Sequence, residues 1–324
     1  MNIRQLKEEV VLTGCASDDK FVRMPDSTIE KVPRLRDLAH NTSGIKTSFE
    51  TDSKRLRLTA KVGKVTGHVH MAVSAASGFD IYVNGKFLGN LRPEYNGTDI
   101  EGELELDTGA TAGKVEIYFP LYNSVVDFNI ELDKGAFKRK TAENMKPVLF
   151  YGSSITQGAC ASRPGNSYVN MTGRMLGRPV INLGFSGSAR GDIPLAEYIA
   201  SLDIAAFVYD YDHNAPDTAF LKETHEPFFK ALRAKKPNLP VIMMSRPGYE
   251  KWIRIAKGNT QVVMTTYLNA LSAGDDNVYF IDGRTLFGES DRDACSVDGT
   301  HPNDIGFIRM ARRVSAVLEG ILED

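Results

Sequence analysis

Two patterns of apolar residues share this chain, and they change over at Pro147. Ahead of Pro147 the pattern alternates. Leu56, Leu58, Ala60 and Val62 are interleaved with Arg55, Arg57, Thr59 and Lys61, and Phe128, Ile130 and Leu132 with Asn129, Glu131 and Asp133. Leu104 and Leu106 alternate in the same way with Glu103, Glu105 and Asp107. A period of two sets one face of a strand on a core and the other in water. After Pro147 the apolar runs are short and continuous: Val148–Tyr151, Val180–Leu183, Ala205–Tyr209, Val241–Met244 and Val278–Ile281. Runs of that kind belong to parallel strands covered on both faces. The two patterns call for two domains, expected at 1–140 and 141–324 of the 324 residues.

The first half reads as an antiparallel, jelly-roll-like β-sandwich of short strands with Gly and Asn turns. Asn84-Gly85, between Asp80–Val83 and Lys86–Leu88, predicts a hairpin, because both residues accept the positive φ of a type I′ turn. The basic run Lys138-Arg139-Lys140 is expected in a solvated linker. In the second half, helix-compatible segments separate the apolar runs: Tyr168–Leu176, Pro194–Ser201, Asp217–Ala234 and Trp252–Leu271. A last amphipathic helix carries Ile305, Ile308, Ala311, Val314, Val317, Leu318 and Ile321. Repeated β-α-β units predict an α/β, doubly wound parallel sheet of five strands.

Composition narrows the function. A formal net charge of −2 argues against a nucleic-acid partner. No apolar run is long enough to span a bilayer. The three cysteines, Cys15, Cys160 and Cys295, are odd in number and lack metal-type spacing, which fits reduced thiols and a cytoplasmic location. Leu12-Thr13-Gly14-Cys15 resembles a lipoprotein cleavage site, but Lys7, Glu8 and Glu9 stand where an export signal needs apolar residues. His68 and His70 share one side of an expected strand without a carboxylate or cysteine to complete a metal site, and are expected to be exposed.

In an open α/β sheet, ligands bind beyond the carboxyl ends of the strands. The first parallel strand ends in Gly152-Ser153-Ser154. No G-x-G-x-x-G follows it, no lysine lies between Gly152 and Gly158, and no G-x-S-x-G occurs, so dinucleotide, P-loop and α/β-hydrolase signatures are missing. A serine needs a base to become a nucleophile. Asp298-Gly299-Thr300-His301-Pro302 offers one: His301 as base, with Asp298 accepting from its Nδ1–H. Alternatively, Asp298 and His301 only cap the last helix, with Pro302 at its first position. Gly187, in Phe185-Ser186-Gly187-Ser188, and Asn214, in Asp212-His213-Asn214, could donate to an oxyanion. Each could equally be a turn or cap residue. Asp210, Asp212 and His213 could also hold a metal ion.

These blocks, in this order, resemble those of the SGNH hydrolases, the GDSL esterase and lipase superfamily. Gly152-Ser153-Ser154 stands for the first block with Ser153 in place of the usual aspartate. Gly187 stands for the glycine block, Asn214 for the asparagine block without the usual G-x-N-D around it, and Asp298 with His301 for D-x-x-H. The resemblance spans about 147–322 and implies a flavodoxin-like three-layer fold. It implies a Ser154-His301-Asp298 triad, and an oxyanion hole from the N–H groups of Ser154 and Gly187 with the Asn214 amide. It also implies ester hydrolysis without a metal or organic cofactor. A sandwich followed by such a domain is similar to some carbohydrate O-acetylesterases. The expected substrate is therefore a short-chain acyl ester, acetyl above all, of a small molecule or oligosaccharide, with no nucleic acid or membrane partner. Homo-oligomers stay open. Arg190, Tyr211 and Arg246 follow strand ends and are the expected substrate contacts, with Tyr151 nearby. Trp252 also flanks a strand end; it is expected in the core rather than as a platform for a sugar. The rival readings are a lysophospholipase or thioesterase, and a carbohydrate-binding protein with a secondary hydrolase domain.

Overall fold

The computed structural model describes residues 3–64, 69–109, 111–142, 145–248 and 250–322. The chain divides into two compact units whose boundaries are not a single cut. One comprises Met1–Pro25, Asp37–Asn144 and Cys160–Asn166, the other Asp26–Arg36, Met145–Ala159 and Ser167–Asp324. The early helical segment Asp26–Ile29 and the turn Pro33–Leu35 thus belong to the α/β unit.

The α/β unit is built on five parallel strands: Val148–Gly152, Val180–Gly184, Ala206–Asp210, Val241–Met244 and Val278–Ile281. Their order is second, first, third, fourth, fifth, the flavodoxin-like arrangement. Every residue of the first, third and fourth strands is buried, which is why these runs carry no alternation. Helices Tyr168–Met175 and Asp304–Leu322 pack together, and Ile193–Ser201, Thr218–Lys235 and Ile253–Ser272 pack in succession, giving three layers. In the last helix the buried stripe is Phe307, Met310, Ala311, Val314 and Leu318, whereas Ile305 faces solvent. That helix begins at Asp304, not at Pro302; Asn303 caps it, its Oδ1 accepting from the N–H groups of Ile305 (3.0 Å) and Gly306 (3.2 Å).

Register makes the strand ends level. Gly152 pairs with Gly184 on one side and with Asp210 on the other. Neither glycine can be replaced freely. A Cβ on Gly152 would lie 2.0 Å from Thr156 Oγ1 and 2.1 Å from the Asp210 carbonyl oxygen, and one on Gly184 would lie 2.2 Å from the Gln157 nitrogen. The short helix Ser154–Gln157 can therefore start directly on the sheet edge.

The other unit is a sandwich of two antiparallel sheets. The larger runs Val11–Thr13, Lys46–Thr51, Gly113–Tyr118, Phe79–Val83, Lys86–Leu91, and the smaller runs Asp99–Glu105, Arg55–Val62, Val125–Leu132. Their inward residues form one core, including Phe49, Leu56, Leu58, Phe79, Ile117, Phe119 and Phe128. The rings of Phe119 and Phe128 lie 4.8 Å apart. Asn84 and Gly85 turn the predicted hairpin with φ of 51° and 76°. The unit opens with a helix, Ile3–Glu9, whose Ile3 and Leu6 enter the core. Two expectations are corrected. Arg139–Lys140 is not a solvated linker but a short strand paired with Phe49 and Glu50, with Arg139 bonded to Glu50. His70 is exposed, in a turn instead of a strand, while His68 lies outside the described residues.

Candidate active site

Ser154 is the first residue of the short helix that follows the first strand. Ser153, where an aspartate is usual, caps it: the Ser153 hydroxyl accepts from the Ile155 N–H at 3.2 Å. Gly158 closes the turn at a φ of 106°. Ser154 is 9% exposed, and its Oγ lies 3.0 Å from His301 Nε2. His301 Nδ1 lies 2.8 Å from Asp298 Oδ2. The second Asp298 oxygen accepts from the N–H groups of Thr300 (2.8 Å) and His301 (2.7 Å).

Three groups thus fall in one hydrogen-bonded line. Asp298 and His301 do not cap the last helix; the loop between them is folded by the carboxylate itself. Burial would raise the Asp298 carboxyl, but its bonds to the imidazole and to the two backbone N–H groups outweigh burial and bring it down to about 2. The carboxylate therefore stays charged and receives Nδ1–H, which leaves the Nε2 lone pair facing Ser154. Lys251 Nζ donates to the Asp298 carbonyl oxygen, and the Val297 N–H donates to that of His301 at 3.0 Å, fixing the loop from outside.

The second and third strand ends flank Ser154. Phe185 N–H donates to the Gly152 carbonyl at 2.8 Å, and Ser186 N–H to Gln157 Oε1 at 2.9 Å. Gly187, at a φ of 66°, is exposed, and a Cβ there would meet nothing within 4 Å. Asn214 Nδ2 donates to the Phe185 carbonyl at 2.8 Å, which ties the asparagine to the loop that carries Gly187. An amide carries two donor hydrogens, so this bond leaves one in hand.

Asp210, Asp212 and His213, a candidate metal set in the sequence, turn to different partners. Asp210 Oδ2 accepts from Thr156 Oγ1 and from the Tyr168 hydroxyl, both at 3.0 Å, and burial drives its carboxyl well above the usual range. Asp212 is buried against Arg246, whose backbone N–H reaches Asp212 Oδ2 at 3.2 Å and whose Nη2 reaches the Asp212 carbonyl at 2.8 Å. His213 bonds to the Pro247 backbone, and its Nε2 is buried with no hydrogen-bond partner among the described residues. Burial, then the charges of Arg246 and His301, hold it neutral, its pKa well below the histidine range.

The expected substrate contacts fare unequally. Arg246 is 5% exposed and Tyr211 1% exposed, so neither presents a free group to a ligand. Arg246 is spent on Asp212, and the Tyr211 hydroxyl meets Thr224 Oγ1 at 2.5 Å. Tyr151 is buried too, its hydroxyl accepting from the Gly191 N–H at 2.9 Å and its ring stacked on Phe228 at 5.1 Å. Arg190 is half-buried and makes no hydrogen bond or ion pair among the described residues. Trp252, expected in the core, is 48% exposed at the start of its helix, with Nε1 3.4 Å from Thr300 Oγ1. Sequence reasoning missed His213 as an electrostatic neighbour of His301 and Asp298. Its position beside Asn214 was the only signal, and it reads equally as a turn residue.

A parallel sheet in this order, with a Ser-His-Asp line at its carboxyl edge, defines an SGNH-type ester hydrolase. Residues 145–319 match the GDSL-like lipase/acylhydrolase family model, and the chain belongs to that family. Residues 1–137 match the model for the N-terminus of SGNH-hydrolase-type esterases. Among solved structures, the chain is similar to a Bacteroides ovatus protein described as a GDSL-like lipase. That likeness has a TM-score of 0.87 and 29% identity over 98% of this chain and 96% of that one. It shares its fold with SsfX3, a salicylyl-acyltransferase from a tetracycline biosynthetic pathway (TM-score 0.79, 19% identity, 97% and 96% covered). It also shares it with a family two carbohydrate esterase from Clostridium thermocellum solved with cellohexaose (TM-score 0.64, 16% identity, 87% and 93% covered). No curated protein matches the sequence. No helix among the described residues is long and apolar enough to cross a membrane.

Proposed function

We propose that this enzyme cleaves short-chain acyl esters, acetyl above all, from carbohydrate alcohols through an acyl-enzyme on Ser154. The observation that carries the reading is the unbroken line from Ser154 Oγ to His301 Nε2 at 3.0 Å and from Nδ1 to Asp298 at 2.8 Å. Ser154 Oγ attacks the acyl carbonyl while its proton passes to His301 Nε2. Asp298 holds the resulting imidazolium. The oxyanion is received by the N–H groups of Ser154 and Gly187 and by the free hydrogen of the Asn214 amide. The alcohol leaves with the proton from Nε2, and a water activated by the same nitrogen then releases the acid. Catalysis on this plan uses only the chain's own groups.

The carbohydrate side rests on the sandwich-plus-hydrolase layout and on the fold shared with an esterase solved with cellohexaose. Cys15, Cys160 and Cys295 form no disulfide, which fits a reducing compartment, so the cytoplasm is the proposed location. A panel of p-nitrophenyl esters from acetate to decanoate, run beside acetylated xylo- and cello-oligosaccharides, tests the reading. Turnover should be greatest on acetyl groups and extend to the oligosaccharides. A rate that climbs with acyl length, with no acetate released from sugars, would instead establish a lysophospholipase- or thioesterase-type enzyme.

A further inference from the structure

Trp252 is the chain's single tryptophan, and it lies half in water rather than in the core. An indole carries a large flat apolar surface, and one held half in solvent beside a candidate site is open to a ligand. The ring is not loose. Its Nε1 is 3.4 Å from Thr300 Oγ1, in the loop that Asp298 and His301 define, and the Lys251 ammonium lies 5.6 Å from the ring centroid. Lys251 also donates to the Asp298 carbonyl. Indole, ammonium and catalytic loop are therefore one connected arrangement.

Beside it a cavity of about 640 Å³ opens against Asp298 and Gly299. Its walls mix the apolar side chains of Phe287 and Val297 with charged ones, among them Lys251 and the pair Glu250–Arg292 at 2.5 Å. Two occupants fit an exposed indole near an ester site, an alkyl chain or the apolar face of a sugar ring. An alkyl chain gains most in an enclosure without charges, and here Glu250, Lys251 and Arg292 interrupt the apolar walls. A pyranose carries C–H groups on its faces and hydroxyls around its rim, and needs both a flat apolar surface and polar walls.

We propose that Trp252 is the platform on which a pyranose ring of the ester's alcohol part stacks, with the adjoining charged cavity receiving the next sugar hydroxyls. The proposal builds on the esterase reading by assigning a residue to the carbohydrate. It can nevertheless fail separately. A single tryptophan makes the test direct, since all indole fluorescence of the unmodified protein comes from this residue. Titration with cellohexaose and with xylohexaose, neither of which carries an acyl group, should give a saturable change in Trp252 emission with at least one of them. Decanoate should give none. No saturable change with either hexaose, or a change with decanoate alone, overturns the platform.

A kinetic arm completes the test. In Trp252→Ala, the ratio of kcat/KM on an acetylated hexaose to that on p-nitrophenyl acetate should fall about tenfold, the size of one lost aromatic stack. The loss should sit in KM, and Trp252→Phe should recover most of it. An unchanged ratio overturns the proposal. Sugar-dependent fluorescence without any esterase activity would keep the platform and sink the esterase reading. Activity on acetylated sugars with a silent Trp252 would do the reverse.

Discussion

His225 gives a stability prediction whose size follows from the structure. It lies on the helix Thr218–Lys235, is 1% exposed, stacks on Tyr209 with ring centroids 4.3 Å apart, and has Nδ1 2.9 Å from Thr266 Oγ1. Burial lowers its pKa to about 3. An unfolded chain titrates its histidines near about 6.5. The folded pKa is thus depressed, and the unfolded state binds the proton first. The contribution to stability is whole above about pH 6.5 and is lost as pH falls toward about 3. Between pH 7 and pH 5 the loss from this residue is about 2 kcal/mol, roughly 1.5 pH units at about 1.4 kcal/mol each. The perturbation is His225→Phe, which keeps a ring against Tyr209 and removes the titration. Urea unfolding followed by Trp252 emission reports the α/β unit to which both residues belong. At a slope of roughly 2–3 kcal/mol per molar urea, the parent's midpoint should drop on this account by somewhat under about 1 M from pH 7 to pH 5. The variant should lose less by that amount. His213 and the other titrating groups remain in both proteins, so they cancel in the double difference. A variant that loses as much stability on acidification as the parent would refute the reasoning.

Further outcomes follow from the same geometry. Asn214→Ala should lower kcat on p-nitrophenyl acetate about a hundredfold, ~3 kcal/mol of barrier, with little change in the thermal midpoint; a variant with full activity removes Asn214 from the oxyanion site. Arg246→Met leaves the Asp212 carboxyl buried without its counter-charge, and should cost about 3–5 kcal/mol of stability by urea unfolding. Pairing it with Asp212→Asn should recover part of that loss, and a double variant no better than the single one would contradict the pairing. Gly152→Ala forces a Cβ onto Thr156 and the Asp210 carbonyl. It should either fail to accumulate folded protein or lose activity with Ser154 displaced, and unimpaired kinetics would show the close approach to be unimportant. The Asp298 carboxyl, held at about 2, should stay ionised through the whole working range, its contribution present above about pH 4 and lost only as pH falls through about 2. An NMR titration of that carboxyl with a midpoint near an ordinary aspartate's would contradict the bonds drawn to it.

Much of the α/β architecture was legible in the sequence. Val148–Gly152 and its four partners are covered on both faces, and continuous apolar runs are the direct trace of such burial. Ser154, Asp298 and His301 could be read because each follows a strand end in a fixed order, and register alone brings such ends level. Depth was not legible. Arg246 and Tyr211 stand just beyond strand ends like true rim residues, and only coordinates reveal that Asp212 and Thr224 have taken them inward. Trp252 erred the other way, because an aromatic residue at a helix start is ordinarily buried and nothing local marks it as exposed. The helical pieces in Asp26–Ala39 were missed for another reason: four-residue turns are too short to show a period. Likewise, no composition signal says that Cys160–Asn166 belongs with the sandwich. Asp80, buried there, accepts from Arg163 at 2.9 Å and from the Gly165 N–H at 2.7 Å, a link spanning more than eighty positions.

The most direct test of the account is acyl-enzyme formation on one hydroxyl. The parent, Ser154→Ala and His301→Ala are mixed with p-nitrophenyl acetate, and the intact proteins are weighed by mass spectrometry during turnover. The parent should carry a single acetyl group that maps to the Ser154 peptide and should release p-nitrophenol, while Ser154→Ala should remain unacetylated and both variants should lose nearly all turnover. Undiminished p-nitrophenol release by Ser154→Ala, or an acetyl group that maps to another residue, would contradict it.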